Sequence, residues 1–543
     1  MTNSKISKIE YLVLILYSIV IKFFMSIYSI RFSEIFTDND GAIYYVVGKS
    51  IMSGKVLYKD IFDHKTPYVF FTNALASILE KNHLGLFILE IVILFFTLLF
   101  TYKFLKFFTT KFRSLVGTFI LGILLNVPQI TFSYSRTEEY AIAFMMTALY
   151  LFTKYYFLNM NDSAITSREL SIRNSDNKNE VHDNLNAKEF TLPMIIIGIM
   201  AGLTFMTNIR AIVLFVPFAI MVLIKNLKQK KYLYIIKLFF AGLLGVFLSI
   251  LPYVIYMFAT DSVSDAFYAI YTFNVNYLNS AMDSSIDILS QSILFLKEQA
   301  VVYTFVLLSF ISFIKLKFDK YLKISIIGSY LVAFIYITFS KRAYPYYLVI
   351  FMPYFLSLYF VILSFIDKTY RRESIKNVNS DYQDKTFATK AVYVIIAFCA
   401  FVLFGILISH KGLLNRYKNN TFRSSRINAV IESKFGDKKD LNVLSFGFMP
   451  EVYVFTHTIP KYKYFMIPNV SYKVDKTPYM AQYDYIMSME PDIIVFKSQG
   501  FYDSYPQNVF SQINYILSEA YTLEDTIRTN EFEGDIYIFA KKL

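Results

Sequence analysis

Tryptophan is absent from the 543 residues, and cysteine occurs once, at Cys399. A single thiol excludes an internal disulfide and a Cys-based metal centre, and its place in an apolar run marks it as a small core residue. Charge is scarce too: 17% of residues are Asp, Glu, Lys or Arg, against about 25% in an average soluble domain. What fills the chain instead is apolar and aromatic, with 55% hydrophobic residues, 56 Phe, 45 Tyr and a mean hydropathy of +0.43. That is the composition of a mostly α, polytopic membrane protein, with Tyr taking the interfacial places that Trp often holds. The net charge of +13 sits in loops between apolar runs, so membrane topology explains it better than nucleic acid does.

Crossing about 30 Å of hydrocarbon takes about 20 residues. Apolar runs near 10–30, 84–105, 114–133, 138–158, 191–207, 209–224, 233–258, 300–315, 324–340, 344–366 and 391–410 predict about 11 spans. The pair flanking Asn208 and Arg210 is the shortest. No small-residue cleavage site follows the first run, which is read as a retained span. Basic residues recur in alternate loops: Lys103 to Arg113, Lys225 to Lys231, Lys315 to Lys323 and Lys368 to Lys376. With the N-terminus cytoplasmic, each of these falls inside, and the odd span count puts the C-terminus outside. The expected membrane is the bacterial cytoplasmic membrane.

The domains follow. Residues 1–411 form the membrane part, holding a first external loop at 31–83, a polar cytoplasmic linker at 159–190 and an external loop at 259–298. The last is rich in aromatics (Phe267, Tyr268, Tyr271, Tyr277) and serves either as a cover for a substrate groove or as an amphipathic connector. Residues 412–543 change character: L-N-V-L-S-F-G, P-D-I-I-V-F-K and D-I-Y-I-F-A-K-K-L read as strands and Val509–Leu517 as a helix, so a small external α/β domain is expected. No repeat or nucleotide-binding loop appears in the chain.

Chemistry concentrates between Asp38 and Pro67, D-N-D-G-A-I-Y-Y-V-V-G-K-S-I-M-S-G-K-V-L-Y-K-D-I-F-D-H-K-T-P. Four acids (Asp38, Asp40, Asp60, Asp63) lie here against the first span, a costly place for ionisable groups and hence a functional one. Residues 42–52 predict a short helix with Asp40 near its N-terminus, where an acid also suits the helix dipole. A second surface helix is expected after Pro67. Glu138 and Glu139 open the fourth span, where acids equally suit the helix N-terminus. His457, with no ligand-spaced partner, is read as a packing residue.

This loop resembles the first external loop of bacterial C-type-fold membrane glycosyltransferases, in the branch related to protein O-mannosyltransferases and the aminoarabinose transferase. That loop commonly ends G-x-x-P-Y-x-D-x-F-D-H-K-x-P; here Leu57 replaces the Pro before Tyr58, and Thr66 the Gly before Pro67. R-T-E-E-Y at 136–140, Arg210 in T-N-I-R-A, and R-A-Y-P-Y-Y-L at 342–348, with Tyr346 where His is frequent, are further points of similarity. The resemblance covers roughly residues 10–370. It implies inverting transfer of a sugar from a polyprenyl-phosphate donor to a glycan, lipid or protein acceptor on the external face. Asp40 matches the catalytic acid position and would act as general base. Arg136, Arg210, Lys341 and Arg342 would meet the lipid phosphate, although cations at span ends also snorkel. Asp38, Asp63, His64, Lys65, Glu138, Glu139 and Tyr346 complete the expected substrate-binding set. No metal or other cofactor is expected: the D-N-D triplet suggests one, but many relatives of the branch work without metal. Rival classes are a secondary transporter or lipid flippase, which places charges at the bilayer midplane in symmetric halves, and a glycan polymerase or ligase, which leans on arginine-rich external loops.

Overall fold

The computed structural model describes residues 7–29, 39–79, 83–126, 136–158, 179–280, 288–316, 318–340, 344–364, 412–436, 440–468, 470–498, 505–528 and 534–542. Helix α1 (Lys8–Met25) opens with a capping box in which Ser7 and Glu10 satisfy each other's backbone N–H groups. Two short helices follow as expected, α2 (Asn39–Met52) and α3 (Tyr68–Ser77). The bundle continues through α4 (Leu84–Leu105), α5 (Lys111–Leu124), α6 (Thr137–Phe152), α7 (Asn179–Phe205), α8 (Val216–Lys228) and α9 (Tyr232–Ala259).

Five described segments are long and apolar enough to cross a membrane: Leu84–Leu105, Ala211–Lys228, Tyr232–Ala259, Lys320–Thr338 and Pro345–Ser364. A sixth arises if Ile288–Glu298 and Ala300–Lys315, bent by 89°, count as one. Other expected runs are met by shorter described helices, such as α5 with 14 residues and α6 with 16. The first expected span carries Lys8, Glu10 and Lys22, of which Glu10 and Lys22 are ion-paired inside the bundle, and the fourth opens on Glu138 and Glu139, both partnered there. Run 391–410, with Cys399, lies outside the described residues. The linker expected through 190 ends sooner, because α7 reaches back to Asn179: once a helix has nucleated, each added residue extends it cheaply.

Helices α7 and α9 pack closely. A Cβ at Gly198 would strike the Gly242 carbonyl, and one at Gly245 the Ile195 carbonyl, so the two backbones touch. Small residues permit this approach, which within lipid supplies association that the hydrophobic effect cannot. The other face of α9 presents Leu233, Phe239, Phe240 and Phe247 outward. Beyond Phe205 the helix breaks at residues 206–210 and resumes at Ala211, which places Asn208 and Arg210 at a chain turn.

In the C-terminal unit a helix over 412–435 leads into four strands, β1 (Val443–Phe446), β2 (Ile493–Lys497), β3 (Tyr521–Ile527) and β4 (Ile536–Lys541). Their order is β1-β2-β4-β3, with β1 and β2 parallel and the others antiparallel. Three strands fall where the β-branched runs predict them. β3 was not expected: Tyr521–Ile527 has mostly polar, partly exposed residues and a register shift at Leu523/Asp525, the signature of an edge strand.

This unit shares one core with the first loop. Ile43, Val47, Ile61 and Phe70 join Val443, Val452, Phe465 and Ile493 in a single buried cluster. Polar ties reinforce it: the Phe62 N–H donates to the Lys463 carbonyl at 3.0 Å, Lys463 Nζ meets Asp265 at 2.5 Å, and Tyr268 donates to Asp475 at 2.8 Å. Phe62 also packs against Tyr268, Phe273 and Tyr464. Residues 259–280 are therefore folded between the bundle and the C-terminal unit, ending in a helix α10 (Phe273–Ser280).

Candidate active site

A cavity of about 340 Å³ lies where α2, α6, the α7–α8 turn, α10 and the C-terminal unit converge. Asp40 enters from the first turn of α2, its side chain one-fifth exposed. Its carboxylate is ion-paired with Arg136, the residue preceding α6, and stands 3.9 Å from Lys65 Nζ. Lys65 is held by its own loop. Its N–H donates to Asp63 Oδ1 at 2.9 Å, its carbonyl accepts from Tyr58 Oη at 2.7 Å, and its ammonium lies 3.8 Å from Asp63 and over the Tyr44 ring. The loop is shaped by a turn in which Asp60 accepts from the Val56 N–H at 2.8 Å, with Tyr58 buried at φ 68°. Asp60 serves that turn and does not line the cavity. Asp63 does line it, is 0% exposed, and has no hydrogen-bond partner at Oδ2.

The two arginines are fixed by tyrosines. Arg136 stacks over Tyr346 at 4.4 Å, with Tyr344 parallel against Tyr346 at 5.3 Å. Arg210 Nη1 donates to Tyr347 Oη at 3.0 Å, and its guanidinium faces the Tyr336 and Tyr347 rings. Glu138, 2% exposed, accepts from Asn208 Nδ2 at 2.8 Å and from the Thr137 hydroxyl at 3.2 Å. A carboxylate so deep needs such donors, since burial without them costs several kcal/mol. His64 stacks on Tyr277 at 5.2 Å, and its carbonyl accepts from Asn274 Nδ2 at 2.8 Å.

Of the residues singled out in the sequence, Asp40, Asp63, His64, Lys65, Arg136, Glu138, Arg210 and Tyr346 line this one cavity. Glu139 does not. It turns away from the cavity to meet Lys22 at 3.3 Å, because consecutive helical residues point about 100° apart. Asp38, Lys341 and Arg342 lie outside the described residues. Tyr277, from the aromatic loop expected as a possible groove cover, lines the cavity, as do Asn208, Asn274, Tyr347 and Phe448, which were not singled out as site residues. Asn208 carried a signal, standing two residues before Arg210 in the break between two spans; Phe448 carried none. Among the described residues no three His, Cys, Asp or Glu side chains converge as a metal site requires.

No family model and no curated protein matches the sequence. The three-dimensional shape does find similar solved structures. The structure is similar to ArnT from Cupriavidus metallidurans bound to undecaprenyl phosphate, with a TM-score of 0.55 at 11% identity over 98% of each chain. The fold is that of the C-type membrane glycosyltransferases. The apo state of the same protein scores 0.49 at 11% identity over 97% of each chain. The apo oligosaccharyltransferase of Archaeoglobus fulgidus scores 0.47 at 12% identity, over 90% of this chain and 70% of that one. At such identities the likeness is one of fold, and the C-type fold carries its chemistry in the site rather than in the architecture.

Proposed function

We propose that this protein transfers a sugar from a polyprenyl-phosphate-linked donor to an acceptor hydroxyl on the external side of the membrane, with inversion and with Asp40 as general base. The observation that carries the reading is the grouping of Asp40 with Arg136, Lys65 and Arg210 around one cavity in a C-type fold. Inverting transfer from a lipid phosphate needs one carboxylate and several cations on opposite sides of an anomeric carbon. The acceptor oxygen attacks that carbon, Asp40 takes the hydroxyl proton, and the bond to the phosphate oxygen breaks with its electron pair leaving on the phosphate.

Arg210 supports the leaving phosphate in this scheme. Among the described residues it has a tyrosine hydroxyl but no carboxylate as hydrogen-bond partner, so its charge is available to an incoming anion, and preorganised charge of this kind is worth most in a site shielded from water. Arg136 has a second task. It is ion-paired with Asp40, and a phosphate entering beside it would share the guanidinium. Lys65, midway between Asp40 and Asp63, stabilises the same charge.

The test is to supply the purified protein with polyprenyl-phosphate sugars and measure released polyprenyl phosphate and glycosylated acceptor. Transfer that depends on Asp40 is expected. An Asp40→Asn variant as active as the parent would overturn the base assignment, and no turnover with any polyprenyl-phosphate sugar would overturn the reaction class.

A further inference from the structure

The cavity has a charged floor supplied by the bundle and an apolar lip supplied by the C-terminal unit, where Phe448, Met466 and Pro468 reach it. Phe448 stands apart in its own stretch. From Leu441 to Phe455 every residue is buried except Phe448, which is 36% exposed. Phe448 therefore keeps part of its aromatic face open beside the cavity.

The loop that holds it is built to be stiff. Gly447 sits at φ 95°, a conformation that side-chain-bearing residues rarely adopt. The fully buried Gln482 accepts from the Gly447 N–H at 3.3 Å and donates to the Ser445 and Tyr464 carbonyls at 3.2 and 2.8 Å. Ser445 Oγ bridges to the Met449 carbonyl, and Tyr453 Oη donates to the Phe465 carbonyl at 2.9 Å. Two loops, 445–449 and 464–467, are thereby clamped together by buried polar bonds, and Phe448 is the side chain they present.

We propose that Phe448 is an acceptor-binding residue, an aromatic face for the C–H side of a sugar ring, and therefore that the acceptor is a saccharide. The inference rests on the transfer reaction proposed above and names its second substrate. A pyranose offers an apolar patch of C–H groups with hydroxyls around its edge. The cavity answers both parts: an aromatic ring on the lip, and a hydroxyl partner in the buried, unpartnered Asp63 Oδ2. An acceptor hydroxyl donating to Asp63 would relieve a buried acceptor that otherwise goes unpaired. A peptide acceptor would instead call for main-chain partners along a strand edge or groove, and Phe448 with its clamped loop supplies neither.

The chain has no tryptophan, so Phe448→Trp installs a sole tryptophan at the lip, excited selectively at wavelengths the tyrosines do not absorb. In the full-length protein its emission is expected to shift on titration with a panel of disaccharide methyl glycosides containing glucose, galactose, N-acetylglucosamine or rhamnose, and to stay constant with a serine- and threonine-containing hexapeptide. In transfer assays Phe448→Ala is expected to raise the KM for the saccharide acceptor about tenfold with kcat changed less than twofold, while Phe448→Tyr keeps KM within about threefold of the parent; these follow from losing or keeping one aromatic face. Emission unmoved by every saccharide, emission moved equally by the peptide, or an acceptor KM untouched by Phe448→Ala would each overturn the proposal. The fluorescence titration needs no donor and no turnover, so its outcome is separate from failure of the transfer reaction itself.

Discussion

Two carboxylate clusters sit on either side of the start of α6, and their neighbours on the helix, Glu138 and Glu139, belong one to each. On one side Asp40, Lys65 and Arg136 border a cavity, with side chains 14–22% exposed. On the other, Lys22 lies 3.3 Å from Glu139 and 3.7 Å from Glu90, with Ser26 donating to Glu90 and both Lys22 and Glu90 no more than 2% exposed. The residue types are nearly the same, and what differs is access. The first cluster can trade a protein partner for a substrate; the second can only hold three helices, α1, α4 and α6, at fixed spacing. A buried pair adds little net stability over an apolar one, yet breaking it is costly because the survivor is left charged and dry. The comparison shows how an ion-pair network inside a membrane bundle is sorted into chemistry or scaffold.

Substitutions separate the two. The largest effect is expected from Asp40→Asn, a fall in transfer of about 10²–10⁴-fold, the usual worth of a positioned base, with an unchanged unfolding midpoint in detergent. Next comes Lys22→Met, which strands two carboxylates and should cost about 3–5 kcal/mol in denaturant unfolding while the protein that remains folded keeps its turnover. Arg210→Ala is expected to lower kcat by about 10²–10³-fold through loss of one charge-stabilising donor, and Arg210→Lys to recover part of it, since the charge survives but the planar fork does not. Smallest is Glu139→Gln: it leaves Lys22 paired one to one with Glu90 and an amide oxygen in reach, so a change of no more than about 1 kcal/mol is expected. If Glu139→Gln instead abolished transfer at full stability, the division between the clusters would collapse.

Much of this was legible in the chain, and its limits have causes. The acids between Asp38 and Pro67 stood out because charge beside an apolar run is costly and therefore purposeful, while Asp40, Lys65 and Arg136 were picked out by the resemblance of their motifs. The spans at 84–105 and 300–315 match the helices Leu84–Leu105 and Ala300–Lys315 end to end, since hydropathy alone sets them. Glu139 was grouped with Glu138 by adjacency, where helical phase would have parted them. Hydropathy does not foresee that charges within a span, such as Glu10 and Lys22, are partnered inside the bundle. Phe448 was invisible for another reason: it lies more than 400 positions from Asp40, and its meaning comes from the fully buried Gln482 and the turn at Gly447, which no local pattern announces. The edge strand Tyr521–Ile527 escaped because a strand half in solvent need not look apolar.

The contact between α7 and α9 has a consequence for how the gene can vary. At Gly198 and Gly245 even a methyl group meets a neighbouring carbonyl, whereas Leu233, Phe239 and Phe247, on the outward face of α9, touch little of the protein. A library randomising α9 and selected for folded protein should return glycine at 245 almost without exception and a broad mixture of apolar residues at 233, 239 and 247. One helix would thus carry two alphabets, a one-letter code on the face that packs against α7 and a permissive code on the face that only has to dissolve in lipid.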